Sequence, residues 1–412
     1  MDKELQLMYD FDKIRNDFPV LSRKINGNPC TFLDTAASAQ KPLCVIEKIC
    51  DIYKNKYANV HRGSYLLSEE ITFEYENARK VVQEFINANS EKEIVFTRNA
   101  TEAINLVAST YGEKYINRGD EVLVSEAEHH ANLVPWQILC ERKGAKLKVF
   151  KITDDGDFSQ EYFENMLSEK TKIVAVTAMS NVLGTIFPIH KIVQKAHEKG
   201  AKVLVDACQF AVHHKIDVKA FNCDFLTFSG HKTYGPSGIG VLYGKAEILE
   251  DMPPYQFGGD MVGKVTYEKT TFDEPPARFE AGTPAIVQAI GLAEALKYMQ
   301  NIGLENIINH ELELTKYTLD RLAEIKGLKL IGKAQNRGGV FSFVIDGIHP
   351  QDLAFILDQQ GVALRVGHHC AEPLVNRMGY TSLARASLGL YSSKEDIDNL
   401  INALIKAKNF LG

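Results

Sequence analysis

A lysine stands at the end of an apolar run in "DFLTFSGHKTYGPSG" (residues 224–238), inside a loop of small residues. A lone lysine after a strand is ordinarily solvated, but Lys232 has neighbours that argue otherwise. Asp206 closes the apolar run "KVLVD", so its carboxylate emerges at the carboxyl edge of the sheet these runs build. Upstream, "RNATEAINL" (98–106) sets Thr101 where a helix begins after a strand. Helix N-termini bind phosphate through free N–H groups and the macrodipole. Ser229 and His231 add donors from the lysine's own loop. Singly, each piece has an ordinary explanation, since Asp and Thr near helix starts are commonly caps. Jointly, a phosphate turn, an acid and then a lysine are what pyridoxal phosphate needs. The lysine forms the Schiff base, and the acid keeps the ring nitrogen protonated and electron-withdrawing.

Two nucleotide-binding readings fail. A Walker A loop needs G-x-x-x-x-G-K-[ST], whereas His231 separates Gly230 from Lys232 and position 226 is Leu. "GPSGIG" leads into another strand rather than opening a helix. A second reactive residue is Cys370 in "RVGHHCAEPL", flanked by Arg365, His368 and His369. Free cysteines are most often buried structural thiols, which is the expectation for the other six. Positive neighbours favour the thiolate, the nucleophilic form. Three His-His pairs (129–130, 213–214, 368–369) with Cys370 raise the question of a metal. Adjacent residues point apart, and no pair has helical or C-x-x-C spacing, so no metal site is expected.

The elements that must position these groups are legible as alternating runs. "EIVFT" (93–97), "EVLVS" (121–125), "KLKVFKI" (146–152), "KIVAVTAM" (172–179), "KVLVDA" (202–207), "FLTFS" (225–229) and "GIGVLYG" (238–244) read as strands. Helical patterns start at Thr101 and cover 132–143. Apolar runs of this kind predict a mostly parallel, doubly wound α/β sheet with ligands beyond the carboxyl ends of its strands. After about residue 285 a long helical pattern leads to "GGVFSFVI" (338–345), "VALRVG", "LARASLGLY" and a closing helix from Lys394, a smaller α+β unit. The expected division is a large domain over 25–288. Residues 1–24 with 289–412 form the small domain, carrying the cysteine loop and Arg385.

The 412 residues carry a net charge of −6, with 45% hydrophobic and 24% charged, which points away from nucleic acid and anionic membranes. No apolar run reaches the roughly 18 residues of a membrane span. The start, "MDKELQLMYDFDKIRNDFPVL", is amphipathic and lacks the basic start and apolar core of a signal peptide. Seven scattered cysteines, odd in number and without C-x-x-C, indicate a reducing compartment, so a cytoplasmic address is expected.

The blocks "FLDTAASAQKP" (32–42), "VHRGSYLLS" (60–68), "EHHANLVPWQ" (128–137), "SNVLGT" (180–185), "SGHKTYGPSGIGVLYG" (229–244), "RFEAGTP" (278–284), "RVGHHCAEPL" (365–374) and "RASLGLY" (385–391) occur in order along nearly the whole chain. In these the sequence resembles fold-type I pyridoxal-phosphate enzymes of the cysteine desulfurase family, and within it the group II, SUF-type branch. The resemblance implies that Lys232 is the Schiff-base lysine and that Asp206 pairs with the pyridinium. Gln209 and Asn181 would lie near the phenolic oxygen, and His129 would stack on the ring and shuttle protons. Thr101, Ser229 and His231 would hold the phosphate, with Thr283 completing the cup from a partner subunit, hence a homodimer. Arg385 would clamp the substrate carboxylate, with Arg365, Asn181 and His61 also at the substrate, and Cys370 would accept sulfur. The implied reaction turns L-cysteine into L-alanine and passes a persulfide to a SUF-type acceptor for iron–sulfur assembly, with L-selenocysteine as a further substrate.

The chain departs from the group II pattern at Val366, Ala103, Cys208 and Phe210, none of which removes a required functional group. Cys370 argues against the aminotransferase, kynureninase-like hydrolase and epimerase alternatives, and the retained Lys232 and Asp206 argue against a non-catalytic scaffold.

Overall fold

The computed structural model describes residues 9–411. Of the amphipathic N-terminal pattern, residues 1–8 lie outside the described residues, and the described part forms helix Phe11–Asn16, capped by the Asp10 side chain. Seven strands form the main sheet: β1 (Ile94–Thr97), β2 (Glu121–Ser125), β3 (Lys146–Phe150), β4 (Thr171–Thr177), β5 (Lys202–Asp206), β6 (Phe225–Ser229) and β7 (Gly240–Gly244). Their spatial order is β1-β7-β6-β5-β4-β2-β3. The pairings from β3 through β6 are parallel, whereas β7 runs antiparallel to both β6 and β1.

The reason for the parallel core is in the side chains. Val122 and Val124 enter one core layer with Ile104, Val107 and Trp136, while Leu123 enters the opposite layer with Ile71, Val82 and Leu296. Both faces of the sheet are thus covered, which is why the strands read as continuous apolar runs. Each fully buried Val, Leu or Phe contributes on the order of 1.5–3 kcal/mol. Helix Ile286–Ile302 runs through the expected boundary at 288/289 and packs on helices Leu43–Asp51 and Leu66–Phe85.

A second sheet is antiparallel throughout, in the order β8 (Leu328–Ile331), β9 (Val340–Ile345), β11 (Leu383–Ser387), β10 (Arg365–Gly367). Phe341, Phe343 and Ala384 pack its face against Leu357, Ile397 and Leu404 of helices Pro350–Gln359 and Lys394–Leu411. "VALRVG" therefore makes two short strands. Val362–Ala363 pairs in parallel with Thr31–Phe32, and Arg365–Gly367 joins the second sheet. Arg15 fixes the N-terminal helix to the closing helix through Asp396, at 2.7 Å and 3.1 Å. No described helix is long and apolar enough to cross a membrane.

Candidate active site

Three loops converge beyond the carboxyl ends of β5 and β6. The register sets Asp206 beside Thr177 on one side and Thr227 on the other, so the acid leaves the sheet at the level where β6 is about to end. The lysine turn that follows is compressed. A Cβ on Gly230 would lie 2.6 Å from Ile239 Cγ2 and 3.2 Å from the Pro236 carbonyl, so only glycine fits there. Segment 38–41 braces the turn. The His231 carbonyl accepts from Ala39 N, Lys41 Nζ and Ser38 Oγ. Burial lowers the pKa of Lys41 to about 8.

The third loop is the start of helix Ala100–Val107. Asn99 caps it by accepting from Glu102 N at 2.9 Å, and the Ala100 N–H donates to Ser229 Oγ at 2.9 Å. Ser229 thus ties the helix N-terminus to the strand that carries the lysine. Gly240, opposite Ser229 in the sheet, leaves the space into which the Asn99–Ala100 backbone fits.

These loops and the second sheet enclose a cavity of about 270 Å³. Lys232, Asp206, His129, Thr101, Asn181, Gln209, Ser229, His231, Arg365, Cys370 and Arg385 all line it. Two expected residues are elsewhere in the chain. His61 sits in a separate cavity with its Nε2 at 2.8 Å from Glu76. Thr283 lines another, of about 510 Å³, beside Phe96 and Tyr255.

The electrostatics favour neutral imidazoles beside fixed cations. Burial, then the charge of Lys232, pushes His129 down to about 4 and His231 likewise to about 4. His129 Nδ1 accepts the Ala131 N–H at 3.0 Å, so the neutral ring carries its proton on Nε2. Arg385 is buried and burial lowers its pKa to about 10, which leaves it charged at neutral pH. Its Nη1 donates to the Asn181 carbonyl at 2.9 Å, while its buried Nε has no partner.

Two thiols face the cavity. Cys208 is buried, and its burial and then Asp206 hold its pKa well above the ordinary range. Cys370 is exposed. Its loop adopts left-handed backbone at both His369 and Cys370, each with φ of 54°. Non-glycine residues occupy that region only when surroundings hold them there. The hold is visible: Asn181 Nδ2 donates to the His369 carbonyl and His130 N to the Cys370 carbonyl, both at 2.7 Å, and Glu372 N donates to His130 Nε2. The expectation of six buried thiols is corrected, because Cys30, Cys140, Cys208 and Cys223 are buried but Cys44 is half-buried and Cys50 is exposed. Both lie on helix Leu43–Asp51, where Cys44 packs against the edge of the core and Cys50 faces outward.

The residues fit pyridoxal phosphate on chemical grounds. The Gln209 amide donates to the Ala36 carbonyl at 2.7 Å, yet its buried Oε1 is unpartnered. A carboxylate, a primary amine and a helix N-terminus surround the same space. An orphaned acceptor and an orphaned guanidinium N–H in a buried wall are costly unless a ligand meets them.

Sequence reasoning missed two residues here, Asp34 and Glu128. Asp34 lies behind the arginines, 2.9 Å from Arg365 Nη2 and 3.5 Å from Arg385 Nη2. Glu128 is buried and accepts from Ser125 Oγ, Asn132 Nδ2 and Thr177 N. His369, expected as a positive neighbour of Cys370, lines the cavity too, but burial lowers its pKa to about 3 and it stands there neutral. Asp34 had one signal, as the single acid in a block of small residues.

This arrangement, an α/β sheet whose strand ends present a lysine, an acid and a phosphate-ready helix start, defines a family. Residues 31–400 match aminotransferase class-V, and the chain belongs to that family. Among its relatives are cysteine desulfurases. A cysteine desulfurase of Dickeya dadantii is 49% identical over 405 residues, covering 98% of both chains. One of Escherichia coli O7:K1 is 47% identical over 407 residues, covering 98% of this chain and 100% of that one. Among solved structures, the E. coli cysteine desulfurase CsdA superposes with a TM-score of 0.91 at 37% identity, covering 98% of this chain and all of that one. The apo enzyme of Thermococcus onnurineus gives 0.92 at 37%, covering 97% and 98%.

Proposed function

We propose that this chain is a cysteine desulfurase that converts L-cysteine to L-alanine and takes the sulfur onto Cys370 as a persulfide. The observation that most supports this reading is the convergence of Lys232, buried Arg385 and the exposed Cys370 thiol on one cavity. Pyridoxal 5′-phosphate is the cofactor, and it supplies an electron sink conjugated to the substrate α-carbon. Lys232 anchors it, Asp206 partners its ring nitrogen, and Gln209 and Asn181 serve its phenolic oxygen. Thr101, Ser229 and His231 hold its phosphate.

Arg385 binds the substrate carboxylate through its fork, a task that suits guanidinium better than ammonium. Arg365, Asn181 and His61 assist it. His129, neutral with its proton on Nε2, exchanges a proton at the substrate. The Cys370 thiolate attacks the substrate sulfur: an S–S bond forms, the C–S bond breaks, and the three-carbon remainder takes a proton and leaves as L-alanine.

The chain divides functionally into a large domain over 25–288 and a small one over 1–24 and 289–412. It acts as a homodimer in which Thr283 and His61 serve the other copy's cavity. Exposed Leu43, Ile46, Tyr53, Leu66, Leu67 and Phe73 near helices Leu43–Asp51 and Leu66–Phe85 support such a contact. The persulfide passes to a SUF-type acceptor in the cytoplasm for iron–sulfur cluster assembly, and L-selenocysteine serves as a further substrate.

The test is peptide mass spectrometry of the holoenzyme after brief exposure to L-cysteine. One added sulfur is expected on Cys370 and none on exposed Cys50. Cys370→Ser is expected to keep the bound cofactor's absorbance and lose desulfuration; sulfide release at the full rate would refute the persulfide route.

A further inference from the structure

Arg365 and Arg385 are direct cross-strand partners of β10 and β11. Like charges in that position repel. Asp34 resolves the conflict from a third segment. Both its oxygens accept from Arg365 Nε at 3.2 Å, one accepts from Arg365 Nη2 at 2.9 Å, and Arg385 Nη2 lies at 3.5 Å. Its backbone is pinned too, bridging to Ser387 on β11. The carboxylate is behind the arginines and does not line the cavity. The pair of guanidiniums therefore presents one net positive charge to the cavity rather than two.

The other ionisable groups lining the cavity, Lys232, Asp206 and Cys370, are common to the parent and to every variant compared below, so they cancel from a ratio of variants. His129, His231 and His369, which also line the cavity, are held neutral by burial at pH 7. Resting on the reading of Arg385 as the carboxylate clamp, we propose that Asp34 determines specificity. By placing one negative charge between Arg365 and Arg385, it matches the subsite to amino acids with a single carboxylate and disfavours those with a second acidic group. Asp34 acts through the arginines, as a positioning residue.

The experiment measures binding to the cofactor-loaded enzyme of L-alanine, with one carboxylate, and L-aspartate, with two. Asp34→Asn keeps an oxygen for the Arg365 fork and removes the charge. The L-aspartate to L-alanine dissociation-constant ratio is expected to fall by about tenfold, and by less at high salt. Arg365→Gln, made in parallel, subtracts a positive charge and is expected to raise the same ratio. An unchanged ratio in whichever of these variants folds overturns the proposal. Arg385→Gln checks the underlying reading separately: unaltered L-alanine binding there refutes the clamp itself, whereas lost binding with unchanged ratios in the other two refutes only the role of Asp34.

Discussion

Gly240 offers the sharpest trial of how the end of the site proposed to hold phosphate is built. It opens β7 under the Asn99–Ala100 turn. An added Cβ would lie 2.5 Å from Asn99 Cα, 2.6 Å from Asn99 C and 3.0 Å from Ala100 N. All three are backbone atoms, so no rotamer change relieves the contact. Restoring ordinary separation, about 3.5 Å, demands a shift of roughly 1 Å. The turn is fastened by the 2.9 Å bond from Ala100 N to Ser229 Oγ, which a shift of that size breaks. Overpacking of this kind costs about 1–3 kcal/mol, and the lost hydrogen bond adds about 1 kcal/mol. The helix N-terminus moves with the turn, and a 1 Å misplacement of a binding group lowers its effect by up to about a hundredfold. Gly240→Ala is therefore expected to weaken pyridoxal phosphate binding ten- to a hundredfold and to lower the urea midpoint. Both are read by cofactor titration and by unfolding of the cofactor-free chain. Gly259→Ala is the control, since its Cβ meets no atom within 4 Å. If Gly240→Ala binds the cofactor as tightly as the parent and unfolds at the same midpoint, the account of the phosphate turn is wrong.

Two further outcomes follow from buried charge. Burial raises the pKa of Glu128 from 4.5 to about 8 despite three donors, so the folded chain binds a proton that the unfolded chain has lost. That stabilisation is complete below about pH 4.5 and fades as pH rises toward 8. Glu128→Gln should flatten this decline in urea midpoints of the cofactor-free chain between pH 5 and 8; an unaltered slope would count against it. Glu280 accepts from Arg79 Nη1 at 2.7 Å and Nη2 at 2.9 Å, and from Tyr75 and Phe96 N. Glu280→Gln leaves the buried Arg79 guanidinium only Glu76, at 3.5 Å, as a counter-charge and should cost about 3 kcal/mol in denaturant unfolding, whereas Arg79→Met with Glu280→Leu should recover much of it. Equal losses in single and double variants would contradict that.

Much of the site is readable in one dimension because its key contacts are local. Whether an aspartate leaves a sheet at its carboxyl edge depends on the strand ending there, and "KVLVD" and "FLTFS" end as β5 and β6 do. The start of helix Ala100–Val107 is likewise written in "RNAT", where Asn99 supplies the cap. The antiparallel course of β7 is less legible. "GIGVLYG" has the composition of its parallel neighbours, and direction is decided by the short loop from Ser229 to Gly240, too short for a crossover.

Composition, strand ends and motif order thus carried the α/β class, a lysine and an acid beyond neighbouring strand ends, and a thiol in a loop. Tertiary structure alone decided that Asp34 stands between two arginines more than 300 residues further on, 331 positions away in the case of Arg365. It also decided that Asn181 and His130 hold the Cys370 loop in left-handed backbone, and that His61 and Thr283 lie outside their own chain's cavity. The physical reason is range. Backbone conformation and burial pattern depend on near neighbours, whereas the pairing of charges depends on which distant segments the packed sheets bring within a few ångströms.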